Sequence, residues 1–124
     1  MSTIAVVGCS PNPERPSHYV AAFLQQHGYT VVPVNPGHKE VLGLACYPSL
    51  RRVPFPLDVV DVFRRSSLVL PVIEEAIRVK AKALWLQDGI SHPEGEELAR
   101  QAGLLVVSDD CMMRRLISRY QPWA

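Results

Sequence analysis

The polar groups able to do chemistry in this chain stand in short stretches, each following an apolar run of strand length. Gly8-Cys9-Ser10-Pro11-Asn12-Pro13-Glu14-Arg15-Pro16-Ser17 follows Ile4–Val7, and Asn35-Pro36-Gly37-His38-Lys39 follows Thr30–Val34. Arg64-Arg65-Ser66-Ser67, Gln87-Asp88-Gly89-Ile90-Ser91 and Ser108-Asp109-Asp110-Cys111 follow three later runs. In the first stretch Gly8 suits a tight turn. Ser10 and Ser17 offer hydroxyl and backbone donors to a phosphate at a helix N-terminus, and Arg15 offers a charge-assisted contact. Only one glycine of the dinucleotide pattern G-x-G-x-x-G is present, so a rigid proline-rich loop with an exposed arginine explains the same residues. After the second run, an NAD site places Asp or Glu to hold the ribose 2′-hydroxyl. Asn35 stands there instead, with Lys39 close by. A missing carboxylate and a nearby cation favour a phosphorylated ribose, the 3′-phosphate of CoA or the 2′-phosphate of NADP. Lys39 reads equally well as a surface lysine. Arg15, Lys39 and Arg64 come from three loops that one sheet edge is expected to gather.

Catalytic groups are harder to find. Cys111 follows Asp109-Asp110 at an expected helix start, where the helix N-terminus lowers a thiol pKa and the carboxylates oppose it. A small buried hydrophobe is the plainer reading of Cys111, and likewise of Cys9. His18 is near enough to touch a phosphate, or is an ordinary helix histidine. Met112 and Met113, beside Leu116, Ile117 and Tyr120, suit core or contact surface, and Trp123 suits packing or a subunit interface. No Ser-His-Asp order, paired carboxylates or nucleophile elbow is present. Three isolated cysteines and four histidines without a ligand spacing give no metal site and no disulfide framework.

The elements that must position these groups follow from the alternation of apolar runs with segments of helical period, which predicts parallel β-α units. Strands are expected at Ile4–Val7, Thr30–Val34, Val59–Phe63, Ala83–Leu86 and Leu104–Val107, with a short one near Ala45–Tyr47. Pro33 is awkward within a ladder. One helix is capped by Ser17, buries Val20, Phe23, Leu24 and His27, and stops at Gly28. A second is capped by Ser66 or Ser67 and buries Val72, Ile73, Ala76 and Ile77. A third opens at Pro93 and closes before Gly103. The last is capped by Asp109 or Asp110, with Arg114, Arg115 and Arg119 toward its negative end. With 124 residues, 48% of them hydrophobic, and a net charge of +1, the chain is expected to form one domain over 1–124. That balance disfavours a nucleic-acid binder. The absence of a long apolar run or leader pattern predicts a cytoplasmic protein with no membrane segment.

Four stretches then carry a resemblance. Val7 to Ser17, His27 to Pro36, Asp61-Val62-Phe63-Arg64 and Trp85-Leu86-Gln87-Asp88-Gly89-Ile90 resemble, in order and over nearly the whole chain, the small stand-alone CoA-binding domain family. That family is similar to the N-terminal domain of the succinyl-CoA synthetase α subunit. The resemblance implies an α/β, Rossmann-like three-layer domain with a mainly parallel five-stranded sheet, and coenzyme A or acyl-CoA as ligand. It implies Gly8, Ser10, Arg15 and Ser17 around the phosphates, and Val34, Asn35, Pro36 and Lys39 at the adenosine end. Phe63 and Arg64 would border the cofactor, with Gln87, Gly89 and Ile90 toward the pantetheine. The synthetase's phosphohistidine domain and partner subunit have no counterpart, so binding is expected without turnover. An NAD(P)-binding redox enzyme or sensor and an acyl-CoA-processing enzyme are the alternatives. A homodimer or an unidentified protein partner fits the apolar helix surface.

Overall fold

The computed structural model describes residues 2–120; Trp123 lies outside them. Five strands form one parallel sheet: β1 (Thr3–Val7), β2 (Thr30–Val34), β5 (Val59–Val62), β6 (Ala83–Leu86) and β7 (Leu105–Val107), in the order β2-β1-β5-β6-β7. The chain therefore starts in the interior of the sheet, builds outward to β2, and returns to β1's other side. Helices α1 (Pro16–Gln26) and α4 (Met112–Tyr120) lie on one face, and α2 (Leu70–Arg78) and α3 (Pro93–Gln101) on the other. The apolar runs are continuous because the strands are buried on both sides. Ala5, Val7, Val60, Val62, Leu84 and Leu86 pack with Ile73, Ala76 and Ala99. Ile4 and Val6 pack with Val20, Ala21, Leu24 and Met112 on the opposite face.

Pro33 is accommodated because β2 is an edge strand. Its carbonyl accepts from the Tyr47 amide (3.0 Å), and the Asn35 amide donates to Tyr47 O (2.9 Å), so odd-numbered β2 residues face outward. The amide that proline lacks would have pointed away from β1. The expected short strand is a small antiparallel hairpin, β3 (Glu40–Val41) with β4 (Leu44–Ala45), and Tyr47 bridges Val34.

Several helix ends differ from expectation. Ser17 does not cap α1: Arg15 holds the cap position without a side-chain bond, and the Ser17 hydroxyl accepts from the Ser10 amide (3.0 Å). His27 lies past the helix on the surface, stacked 4.0 Å from Phe23 with its Nδ1 2.8 Å from Phe23 O. Ser66 falls in a 3-10 turn, Ser66–Leu68, and its Oγ accepts from Ser91 N (3.0 Å), while α2 begins after Val69. Arg114 and Arg115 occupy the first turn of α4, where Asp110 neutralises them, rather than its carbonyl end. His92 caps α3 by accepting from Gly95 N (2.9 Å), and the Glu96 carboxylate returns to His92 N (2.8 Å).

One residue breaks the apolar pattern of the sheet. Asp61, in the central strand β5, is 0% exposed, and neither carboxylate oxygen has a partner among the described residues. Burial pushes its carboxyl well above the usual carboxylate range.

Candidate functional site

At the carboxyl end of β1 the chain must turn sharply while passing close to β5. Gly8 does this at φ +84°, its amide donating to Val34 O (2.8 Å). A Cβ there would sit 2.6 Å from the Phe63 carbonyl oxygen, so only glycine fits. The following loop is held by its own side chains. Ser10 Oγ accepts from Asn12 N, and Asn12 Oδ1 from Glu14 N, both at 3.0 Å. His18 Nδ1 donates to Ser10 O (2.8 Å), which gives this histidine a loop-holding job. Asn35 Nδ2 donates to Cys9 O (3.0 Å), tying the loops after β1 and β2 together.

This loop forms one wall of a cleft of about 860 Å³ between the starts of α1 and α4, over the ends of β1, β5 and β6. Gly8, Ser10, Arg15, Ser17, Phe63, Arg64, Gln87 and Ile90 all line it. Of the expected cations, Arg15 and Arg64 share the cleft, joined by Arg65. Arg64 Nε is buried with no partner among the described residues. Its side chain also borders a second recess of about 150 Å³ on the α2 side, with Val7, Val34 and Leu50.

Val34, Asn35, Pro36, Lys39 and Gly89 stand outside the main cleft. Val34 faces the smaller recess, Asn35 is committed to Cys9 and to Gly37 N (3.1 Å), and Lys39 is exposed at the entry to the β3–β4 hairpin. That hairpin adjoins β2, and its Val41 packs with Cys46 and Cys9 on the α1 face of the sheet. The Gly89 amide donates to Asp109 Oδ1 (2.7 Å).

The opposite wall went unread in the sequence. Met113, Arg114 and Ile117 of α4 and Tyr19 and Val20 of α1 contribute to it. Arg114 is held in a fork by Asp88 (3.0 and 2.9 Å) and reaches Asp110 (2.9 Å), while Arg115 Nε bonds Asp110 (2.5 Å). Arg114 holds the Asp88 carboxyl below its usual range, and Arg115, then Arg114, do the same for Asp110. Gln87 is buried, and its Oε1 accepts from Met112 N (3.2 Å), pinning the start of α4 to β6. The signal available was an aspartate, Asp88, after one strand and Arg114 in the first turn of a later helix. No local spacing says that this helix returns to β6.

Thiol chemistry has little support. Cys9 is 0% exposed, and burial, with Cys46 nearby, pushes its thiol up to about 12. Cys46 and Cys111 are also buried. Among the described residues no group of His, Cys, Asp or Glu is arranged to hold a metal ion, and no helix is long and apolar enough to cross a membrane.

Comparison with known proteins identifies the family. A family model described as a CoA binding domain matches residues 2–116. The uncharacterized protein YneT of Bacillus subtilis (strain 168) is 39% identical over 109 residues, covering 88% of this chain and 81% of that protein. A hypothetical protein from Pyrococcus horikoshii OT3 superposes with a TM-score of 0.89 at 44% identity, over 94% of this chain and 81% of the other. The chain is also similar to acetate–CoA ligase [ADP-forming] I of Archaeoglobus fulgidus, 29% identical over 88% of this chain but only 17% of the ligase.

Proposed function

This chain belongs to the CoA-binding domain family, and on that premise we propose that it binds coenzyme A or a CoA thioester across the carboxyl ends of its strands, without turnover of its own. The observation that carries the reading is the combination of cations and apolar wall in one cleft. Arg15, Arg64 and Arg65 meet there beside a glycine turn that keeps the backbone close. Arg64 lines the cleft, and its guanidinium is a charge-assisted donor for a phosphate oxygen. Phosphates therefore belong beside Gly8, Ser10, Arg15 and Ser17. The adenosine end belongs toward Val34, Asn35, Pro36 and Lys39, reached past Arg64, which borders both recesses. The pantetheine belongs along Phe63, Gln87 and Ile90, with Gly89 shaping the turn behind them. The resemblance to a ligase of which this domain is 17% suggests a binding module.

Calorimetric titration with CoA, 3′-dephospho-CoA, NAD and NADP tests this. CoA is expected to bind, to weaken without its 3′-phosphate, and to lose at least tenfold in Arg64→Ala, the range for a charge-assisted contact worth about 1.5–3 kcal/mol. Lys39→Ala is expected to erase the preference for the 3′-phosphate. Heat from NADP or NAD with none from CoA would replace this reading with a redox one.

A further inference from the structure

The cleft has two chemically different halves. Arg15, Arg64 and Arg65 stand on the side of the β1 loop and the end of β5. The other half lies between Tyr19 and Val20 of α1 and Met113 and Ile117 of α4, with Phe63 adjoining. Met113 and Ile117 are four residues apart and share one face of α4. Tyr19 and Ile117 are 44% and 36% exposed in this trough. Its side chains offer one hydroxyl, hydrocarbon and a thioether, and Arg114, which also lines the cleft, is already forked to Asp88. The phosphates and pantetheine amides of CoA lose hydrogen bonds against such a wall, whereas an acyl chain loses none. An anionic head joined to an aliphatic tail matches both halves at once.

Gln87 and Ile90 border the same cleft, so a pantetheine passing them delivers its sulfur end toward α4. We propose that the trough between α1 and α4 receives the acyl chain of a CoA thioester, so that aliphatic acyl-CoA of medium chain length is the preferred ligand. This rests on the cofactor reading above and adds the identity of the group on sulfur.

The test is a calorimetric series on the full chain with CoA and its acetyl, butyryl, hexanoyl and octanoyl thioesters. Affinity is expected to rise about two- to fourfold per added methylene, the upper value being full burial. Ile117→Ala is expected to flatten the series, read as a fall of about threefold or more in the ratio of octanoyl-CoA to CoA affinity. Should that variant fail to fold, Tyr19→Ser on the facing wall makes the same ratio test from an exposed position. A flat series with CoA itself bound overturns the acyl proposal and leaves the cofactor reading standing. No binding of CoA or of any thioester overturns both. A chain-length series that survives unchanged in a folded wall variant also overturns the proposal.

Discussion

Asp61 makes the most quantitative demand on the fold. Its carboxyl is 0% exposed, has no hydrogen-bond partner among the described residues, and is driven by burial to hold its proton well above the ordinary range. In the unfolded chain the same group ionises near 3.9. Between that value and the raised folded value, the native state holds one proton more than the unfolded state. Stability then falls as pH rises, by about 1.4 kcal/mol per pH unit. Below about pH 4 both states are protonated, and the remaining cost is an unpaired neutral carboxyl, roughly 1–3 kcal/mol. Asp61→Val removes both costs with a side chain of similar size that suits a central strand. Urea unfolding of both proteins at pH 5, 6 and 7 is the assay. Every other titrating group is common to the two chains and drops out of the difference. The variant is expected to be more stable at pH 5, with its advantage growing by about 1.4 kcal/mol per unit until the folded pKa is passed. A difference that stays flat from pH 5 to 7, or a more stable wild type, would refute the reasoning.

Three further outcomes follow from geometry already described. Gly8→Ala forces a left-handed φ of +84° on an L-residue and a Cβ 2.6 Å from Phe63 O, so unfolding free energy should fall by at least ~2 kcal/mol by urea titration. Gly95→Ala ordinarily favours a helix by up to ~1 kcal/mol, but here its Cβ meets Ile73 Cδ1 at 2.8 Å and His92 Nδ1 at 3.0 Å. Overpacking of ~1–3 kcal/mol reverses the sign to a net loss of about 1 kcal/mol, read as a lower melting temperature. Cys9, with its thiol pushed up to about 12 and fully buried, should resist iodoacetamide at pH 8 until denaturant is added, as mapped by mass spectrometry.

The β-α order was legible because strands buried on both faces leave continuous apolar runs, as at Ile4–Val7, and these contrast with the stretches that cap or leave them. Helix ends were less legible. Ser17 and Ser66 are chemically fit to cap, but a hydroxyl serves a loop amide just as well, and both bind amides from elsewhere in the chain. The first wall of the cleft could be read because one loop and one strand end carry it. The second could not, since Met113 and Ile117 reach it only through the packing of α4 beside α1. Lys39 looked like a neighbour of Arg15 by position after a strand, yet it does not line the cleft that Arg15 and Arg64 share. Asp61 gave no warning either. Its place in an apolar run is plain, but nothing in that run says that the strand is central and the carboxyl without a partner.

The proline in β2 also bears on assembly. Along the outer margin of that strand one amide is missing, and Tyr47 takes up the neighbouring carbonyl and amide groups. At the other margin no further strand among the described residues pairs with β7, and Leu105 is 75% exposed. A sheet with one blunt and one receptive margin cannot propagate head to tail into a fibre. If two copies join through their sheets, they must do so β7 to β7 about a two-fold axis. Such growth ends at the pair.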